Sequence, residues 1–442
     1  MINKSLLLMT RIYTTFFFTF FTLSFAFGQE KEQKVFTSDI DNFWVAYDSI
    51  HTTTDSLKQL QYLQALYIDK GTPGVQGFME AKGYTAEQWV TSIRSYPKFW
   101  NSVRPNTLLA KSGAQGLEPY LKKLKKLYPA LRPAGIYFCI GVLSSGGTTQ
   151  DSMILIGAEI ATGNSSTDIS EFPESTQKFL SRVYKGEPFK NIIPVNVHEY
   201  VHTQQKGLGS DLLGRAILEG TCDFVAELVT GITMPLSYME YGPKHEAELK
   251  QKFKAEMFEP GIGNWFYNQQ AAQPDLGYYM GYAICKAYYK QAKNKQQAIK
   301  DMIELKYDDA AAVEAFLAKS KFYQEPIRKA ELQKAYEARQ PVITRISPLS
   351  GPDSLIDASV QEIRIEFSAE MDRFTATDYG TGGKEQFPVV AQPGFSADKR
   401  TYVYKVRLEP GREYSFRMNG GGFRSLDGYP LNTYEVRFRT KK

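Results

Sequence analysis

The sequence predicts an α+β protein: a mostly helical domain with a small β-sheet over residues 29–340, then a C-terminal β-sandwich over 341–442. Three observations carry that reading. Between Gln29 and about Gln340, apolar residues recur mainly at three-to-four spacing. One stretch, "AGIYFCIGVLSSGGTTQDSMILIGAEIA" (134–161), breaks that rhythm with two β-branched apolar runs around a Gly/Ser/Thr-rich turn. Beyond "QPVITRISPLSGPDS" (340–354) the period shortens to two.

Residues 1–28 stand apart. They carry Lys4 and Arg11, an apolar run from about Tyr13 to Phe27, and small residues at Ala26 and Gly28. This is the layout of a signal peptide, with cleavage expected before Gln29 and export to the periplasm, the cell surface or the medium. The run is short for a membrane span, and no Cys follows it to take a lipid anchor.

Helices follow in "TSDIDNFWVAYDSI", in "DSLKQLQYLQALYIDKG" with its stop at Gly71, in "YTAEQWVTSIRSYPKFWNSV" and in "LEPYLKKLKKLYPAL". The 134–161 stretch reads as a hairpin or two neighbouring strands. Helical periodicity resumes after Pro173 and runs to "ELQKAYEARQ". In the last hundred residues, alternation marks strands at Ile363, Ile365 and Phe367; at Tyr402, Tyr404, Val406 and Leu408; at Tyr414, Phe416 and Met418; and at Tyr434, Val436 and Phe438. "IEFSAEMD" and "LEPGREYSFRMNGGGFRSLDGYPL" resemble bacterial immunoglobulin-like modules of exported proteins, which implies a cell-surface or protein partner for this region.

Bulk properties exclude some classes. A chain of 442 residues exceeds one ordinary core, and 43% hydrophobic with 28 Tyr and 28 Phe is the composition of a folded protein. The formal charge of +5 falls to about +3 without Lys4 and Arg11, and the remaining charges are interspersed. "LKKLKKL" (121–127) reads as a solvated helix face, so nothing points to nucleic acid. Cys139, Cys222 and Cys285 form no CxxC knuckle; they allow at most one disulfide within the chain, and buried free thiols fit equally well.

The chemistry concentrates in "NVHEYVHTQQ" (196–205), which holds two of the four histidines. An HExxH arises by chance in about one chain in a hundred of this length, so its surroundings decide its meaning. "PVNVHEYVHTQQKG" reads as a short helix with Pro194 in its first turn and Gly207 as its stop. On a helix, His198 and His202 share a face and their imidazoles can meet one ion. Glu199, offset by about 100°, can reach a water on that ion without ligating it. A second helix, "DLLGRAILEGTCDFVAELVTG" (211–231), follows with Ser210 as its expected cap. A hydrolytic zinc takes three protein ligands and keeps one open position, and His, His and Glu is a standard set. Glu219 supplies the third ligand, and one zinc ion per chain is expected. Asp223, one turn on, can accept the free ring N–H of a ligand histidine. Gly220 removes a side chain beside the ligand, so that these two helices can pack closely.

HExxH followed by a ligand Glu in an E-x-x-x-D helix resembles the gluzincin metallopeptidases, the class of thermolysin and the zinc aminopeptidases. Residues 36–290 are also similar to a group of exported bacterial proteins described only as predicted zinc-dependent proteases, through "DNFWVAYD", "YIDKGTPGVQGF", "GTTQDSMILIGAE" and "LGYYMGYAICKAYY". The resemblance implies a zincin-like peptidase fold, a peptide or protein substrate, and a hairpin edge along the cleft. The aminopeptidase G-x-M-E-N signature is missing; "IGAEI" (156–160) is a faint echo that makes Glu159 the candidate for binding substrate amino termini. His51 and His245 lie outside any recognisable motif, which leaves the transition-state contact to a tyrosine.

The expected chemistry has zinc polarise the scissile carbonyl while Glu199 takes a proton from water and passes it to the leaving amine. Tyr278, Tyr279 and Tyr282 in "LGYYMGYAIC" are candidates to stabilise the oxyanion, with Gly277 and Gly281 allowing close approach; core packing is the competing role. Gly146 and Gly147 in the hairpin can hold an extended peptide by strand addition, against an ordinary structural hairpin. Two other function classes remain in view. One is a cell-surface binding or assembly protein with a vestigial or structural zinc site, against which the intact Glu199 argues. The other is a zinc amidase acting on cell-wall peptides.

Overall fold

Helices form where the apolar spacing predicts them, and their ends follow from local chemistry. The structure is a computed structural model that describes residues 35–268, 271–351 and 353–442, so the expected signal peptide lies outside the described residues. "YTAEQWVTSIRSYPKFWNSV" divides into Ala86–Ser95 and Pro97–Gln115. A Thr85/Gln88 capping box opens the first helix, and Pro97 opens the second at a position where its missing N–H costs nothing. "DSLKQLQYLQALYIDKG" forms Ser56–Leu63, capped by Asp55, and then widens into a π-turn at Gln64–Ile68, where Asp69 N donates to Gln64 O.

The stretch 134–161 is more than a hairpin. Strand β1 (Val35–Phe36) pairs parallel to β2 (Gly135–Cys139), β2 pairs parallel to β4 (Met153–Gly157), and β3 (Thr148–Gln150) returns antiparallel on the outer side of β4. The order β1-β2-β4-β3 therefore leaves β3 as an edge. Ile154, Leu155 and Ile156 are all buried, so β4 reads as a continuous apolar run rather than an alternating one. Beneath the sheet the aromatic tips find partners: Tyr67 Oη and Trp89 Nε1 both donate to Ile140 O, and Trp44 Nε1 donates to Thr107 Oγ1.

Among the helices of the first core, three position the site: a histidine helix (Ile192–His202), a glutamate helix (Leu212–Thr230) and a tyrosine helix (Leu276–Gln291). Every residue of the glutamate helix from Leu212 to Ala226 except Arg215 is buried, so this helix runs through the middle. Its cap is Asp211, which accepts from Gly214 N at 2.8 Å, rather than the expected Ser210. A Cβ on Gly281 would lie 1.6 Å from Ala216 O, and one on Gly220 would lie 2.0 Å from the Gly281 carbonyl carbon. Gly220 therefore brings the tyrosine helix, not the histidine helix, against the ligand-bearing helix.

The last hundred residues form two four-stranded sheets. One has the order β5 (Ile343–Ser347), β7 (Glu362–Phe367), β10 (Thr401–Val406) and β9 (Val389–Phe395). The other has β6 (Leu355–Ile356), β12 (Tyr434–Thr440), β11 (Glu413–Met418) and β8 (Thr377–Tyr379). Pairing is antiparallel except between β6 and β12. Ile363, Ile365, Tyr404, Phe416, Val436 and Phe438 close a second hydrophobic core between the sheets. All four strands expected from alternation are present, and the chain is α+β as expected. Tyr429 joins this module to the helices through Tyr336, 5.1 Å between ring centroids, and through Arg339, whose guanidinium lies 4.3 Å from its ring centre. Among the described residues no helix is long and apolar enough to cross a membrane.

Candidate metal centre

The histidine helix runs from Ile192 to His202 and places both imidazoles toward the glutamate helix. His202 Nε2 lies 3.1 Å from His198 Nε2 and 3.1 Å from Glu219 Oε2, and His198 Nε2 lies 3.7 Å from the same oxygen. Donor atoms of a tetrahedral zinc held at about 2.0–2.1 Å stand about 3.3 Å apart. The three atoms fit that triangle, and a point about 2 Å from each of them exists.

The opposite ring nitrogens are already engaged. His198 Nδ1 lies 2.7 Å from Asp223 Oδ1, whose other oxygen accepts from Tyr238 Oη at 3.0 Å. His202 Nδ1 lies 2.8 Å from Gln205 Oε1. A carboxylate and an amide oxygen only accept, so each imidazole carries a hydrogen on Nδ1, and in the neutral ring that a metal takes, the lone pair is on Nε2 and faces inward. Burial pulls the His198 imidazolium pKa down, but Asp223 and Glu219 outweigh it and hold the ring well above its usual value. Burial likewise pushes Glu219 up, and the two imidazoles reverse this, leaving its carboxyl below the usual range. Both shifts show a pocket that favours positive charge between these side chains. Outside it, Arg215 Nη2 stands 3.4 Å from Glu219 Oε1 and donates to the Tyr267 hydroxyl.

Cys222 offers a different donor set, since atoms of His198, His202 and Cys222 all lie within 4.8 Å of one another. Its Sγ, however, sits 3.3 Å from His202 Nδ1, on the side of the ring that Gln205 occupies. Burial pushes its thiol pKa well up, which keeps it a neutral thiol. His198, His202 and Glu219 are the better fit for a zinc ion. All three cysteines are buried and free.

The remaining expected residues separate. Glu199 is half-buried beside the centre, and its Oε1 lies 4.0 Å from where a Cβ on Gly147 would stand. Gly146 instead faces Ile160, and its carbonyl accepts from Gly157 N at 3.2 Å. Glu159 is completely buried, with its oxygens on the backbone N–H groups of Gly141 and Leu143, so no substrate amine reaches it. Of the tyrosines, only Tyr278 faces the site: its ring centroid is 6.4 Å from that of His198 and 5.2 Å from that of Tyr238. Tyr279 donates to Glu246 and Tyr282 to Glu227, because a step of one residue turns the helix away and a step of four moves one turn along it. Gly277 faces Phe266 and Gly281 faces Ala216, so these glycines serve helix packing. His51 and His245 bind the carbonyls of Tyr47 and Tyr241 through Nδ1.

Sequence spacing did not reveal Gln205, Tyr238 or Arg215. Gln205 lies three residues after His202, which is a detectable signal; Tyr238 reaches Asp223 only through the tertiary fold. A large cavity of about 1450 Å³ lies elsewhere, between Trp265, Tyr267 and the β module's Phe374 and Arg424. The chemistry is placed at the histidines because the donor atoms converge there.

No protein-family model matches this chain, and neither does any curated protein. Among solved structures, CopC from Methylosinus trichosporium OB3b is 17% identical over 23% of this chain and 93% of its own, with a TM-score of 0.18. The S-layer protein rSbsC(31-844) is 14% identical over 76% of this chain and 46% of its own, with a TM-score of 0.19. The N-terminal part of the bacterial S-layer protein SbsC is 11% identical over 90% of this chain and 67% of its own, at 0.18. Likenesses at these scores carry no argument about fold or function.

Proposed function

We propose that this chain is an exported zinc-dependent metallopeptidase that hydrolyses peptide bonds with Glu199 as general base. The observation that carries the reading is the convergence of His198 Nε2, His202 Nε2 and Glu219 Oε2, with each imidazole's Nδ1 already committed to an acceptor. A zinc ion would be held by His198, His202 and Glu219, and would supply Lewis acidity toward a carbonyl and toward water. Glu199 is the adjacent carboxylate without a ligand's position; it accepts the proton of the attacking water and returns it to the leaving nitrogen. Tyr278 is the donor for the developing oxyanion. Burial pushes its pKa well up, which keeps the phenol protonated. Gly147 leaves space beside Glu199 at the start of the β3 edge, which favours an extended substrate backbone along that edge.

Export rests on residues 1–28, and a purely structural metal site would have no use for Glu199. The mature protein should carry about one zinc per chain and cleave unstructured proteins. Chelation should stop cleavage and added zinc restore it. A zinc-loaded protein that cleaves neither unstructured proteins nor peptidoglycan fragments would contradict the reading and favour a binding role.

A further inference from the structure

We infer that Glu159 is a positioning residue: it clamps the loop 141–147 from below and so sets the β3 edge against Glu199. The functional half of this inference rests on Glu199 being the base. Glu159 is completely buried, and no Lys or Arg pairs with it among the described residues. A buried carboxylate in that state is costly unless hydrogen bonds compensate. Its two oxygens meet two backbone donors: Gly141 N donates to Oε2 at 3.0 Å, and Leu143 N donates to Oε1 at 3.2 Å.

The loop is shaped around those oxygens. Leu143 holds a φ of 67°, the left-handed region that non-glycine residues avoid. A Cβ on Gly141 would lie 2.9 Å from Glu159 Oε1, so only glycine admits the carboxylate this closely. From there a chain of contacts leads outward. Ser144 Oγ is 2.6 Å from Tyr84 Oη, Gly157 N donates to Gly146 O at 3.2 Å, and Ser145 Oγ donates to Gly147 O at 2.9 Å. Gly147 then stands beside Glu199 Oε1, and β3 begins at Thr148. An apolar residue at 159 would fill the space but leave two buried N–H groups without acceptors. A glutamine offers one acceptor and turns an NH₂ toward the other donor.

The test is amide hydrogen exchange combined with kinetics on Glu159→Gln in the full mature chain. Loss of one buried hydrogen bond should accelerate exchange at Gly141, Leu143 and 148–150 by about tenfold or more, with residues 192–202 and zinc content unchanged. KM for an unstructured peptide should rise by about tenfold, with kcat altered less. Adding Leu143→Gly, which relieves the left-handed strain, should recover part of that loss. Unchanged exchange in the loop, or acceleration spread evenly over the chain, would overturn the assignment. If the variant does not fold, the wild-type amides decide: Gly141 and Leu143 should exchange only on global opening, and exposed-loop rates there would refute the clamp. If the wild-type protein holds zinc but cleaves no peptide, the peptidase reading fails while the exchange comparison still settles whether Glu159 holds the loop.

Discussion

Gln205 sets the orientation of His202. Its Oε1 lies 2.8 Å from His202 Nδ1, while its amide nitrogen donates to Leu218 O at 2.9 Å and to Tyr307 Oη at 2.8 Å. Leu218 O can only accept, so the amide cannot be reversed, and His202 must carry its hydrogen on Nδ1. The lone pair on Nε2 then faces His198 and Glu219.

Gln205→Leu should therefore weaken zinc binding by about 10- to 100-fold while the chain stays folded. Gln205→Glu keeps an acceptor for His202 Nδ1 but gives up the donation to Leu218 O, so its affinity should fall between those of wild type and Gln205→Leu. Chelator competition measures both, and equal affinity for Gln205→Leu and wild type would show that the tautomer is fixed in some other way.

Glu199→Gln separates binding from chemistry. Glu199 is not among the converging donors, so the variant should keep about one zinc per chain and lose peptidase activity by several orders of magnitude. Undiminished turnover would remove Glu199 as the base.

The contact between Gly220 and Gly281 makes a prediction about stability. A Cβ on Gly281 would lie 1.6 Å from the Ala216 carbonyl oxygen, a backbone atom that cannot swing aside. Gly281→Ala should cost about 3 kcal/mol or more. Gly261 has nothing within 4 Å of its Cβ position, and alanine there should change stability by less than about 0.5 kcal/mol. Denaturant midpoints compare the two, and similar values would mean that the helices are not in backbone contact.

Glu159 also makes stability depend on pH. Burial pushes its carboxyl from 4.5 up to about 7, partly offset by the N–H groups of Gly141 and Leu143. A raised folded-state pKa means that the native chain holds this proton more tightly than the unfolded one. Its contribution is fully present below about pH 4.5 and is lost as pH rises through about 7, at a size of about 3 kcal/mol. Urea unfolding from pH 5 to 8 should show wild type losing more stability than Glu159→Gln over that window. Parallel curves would contradict the shift.

What the sequence revealed depends on how local each feature is. His198 and His202 lie one turn apart on one helix, and Glu219 and Asp223 one turn apart on the next, so spacing alone placed each pair on a face and Glu199 beside the first. Alternation likewise exposed the strands at 363–367, 402–406, 414–418 and 434–438, whose alternate apolar residues are mostly buried, although Leu408 falls beyond its strand and Ser415 is buried with its neighbours. Pairing between distant segments was not legible in that way. The parallel partnership of β2 and β4 leaves the same apolar pattern as a hairpin would, and Gly220 says that something approaches closely without saying which helix. Three tyrosines look equivalent in "LGYYMGYAIC", and only the direction of the packed face singles out Tyr278. Glu159 reads as a polar residue at the end of a strand until the loop that wraps it is seen.

Zinc content of the mature protein, measured by elemental analysis for wild type and His202→Ala purified side by side, tests the metal centre most directly. His198, His202 and Glu219 as ligands require about one zinc per chain in wild type and little or none in the variant. Equal zinc in both proteins, or none in the wild type under zinc-replete conditions, would contradict the metal centre.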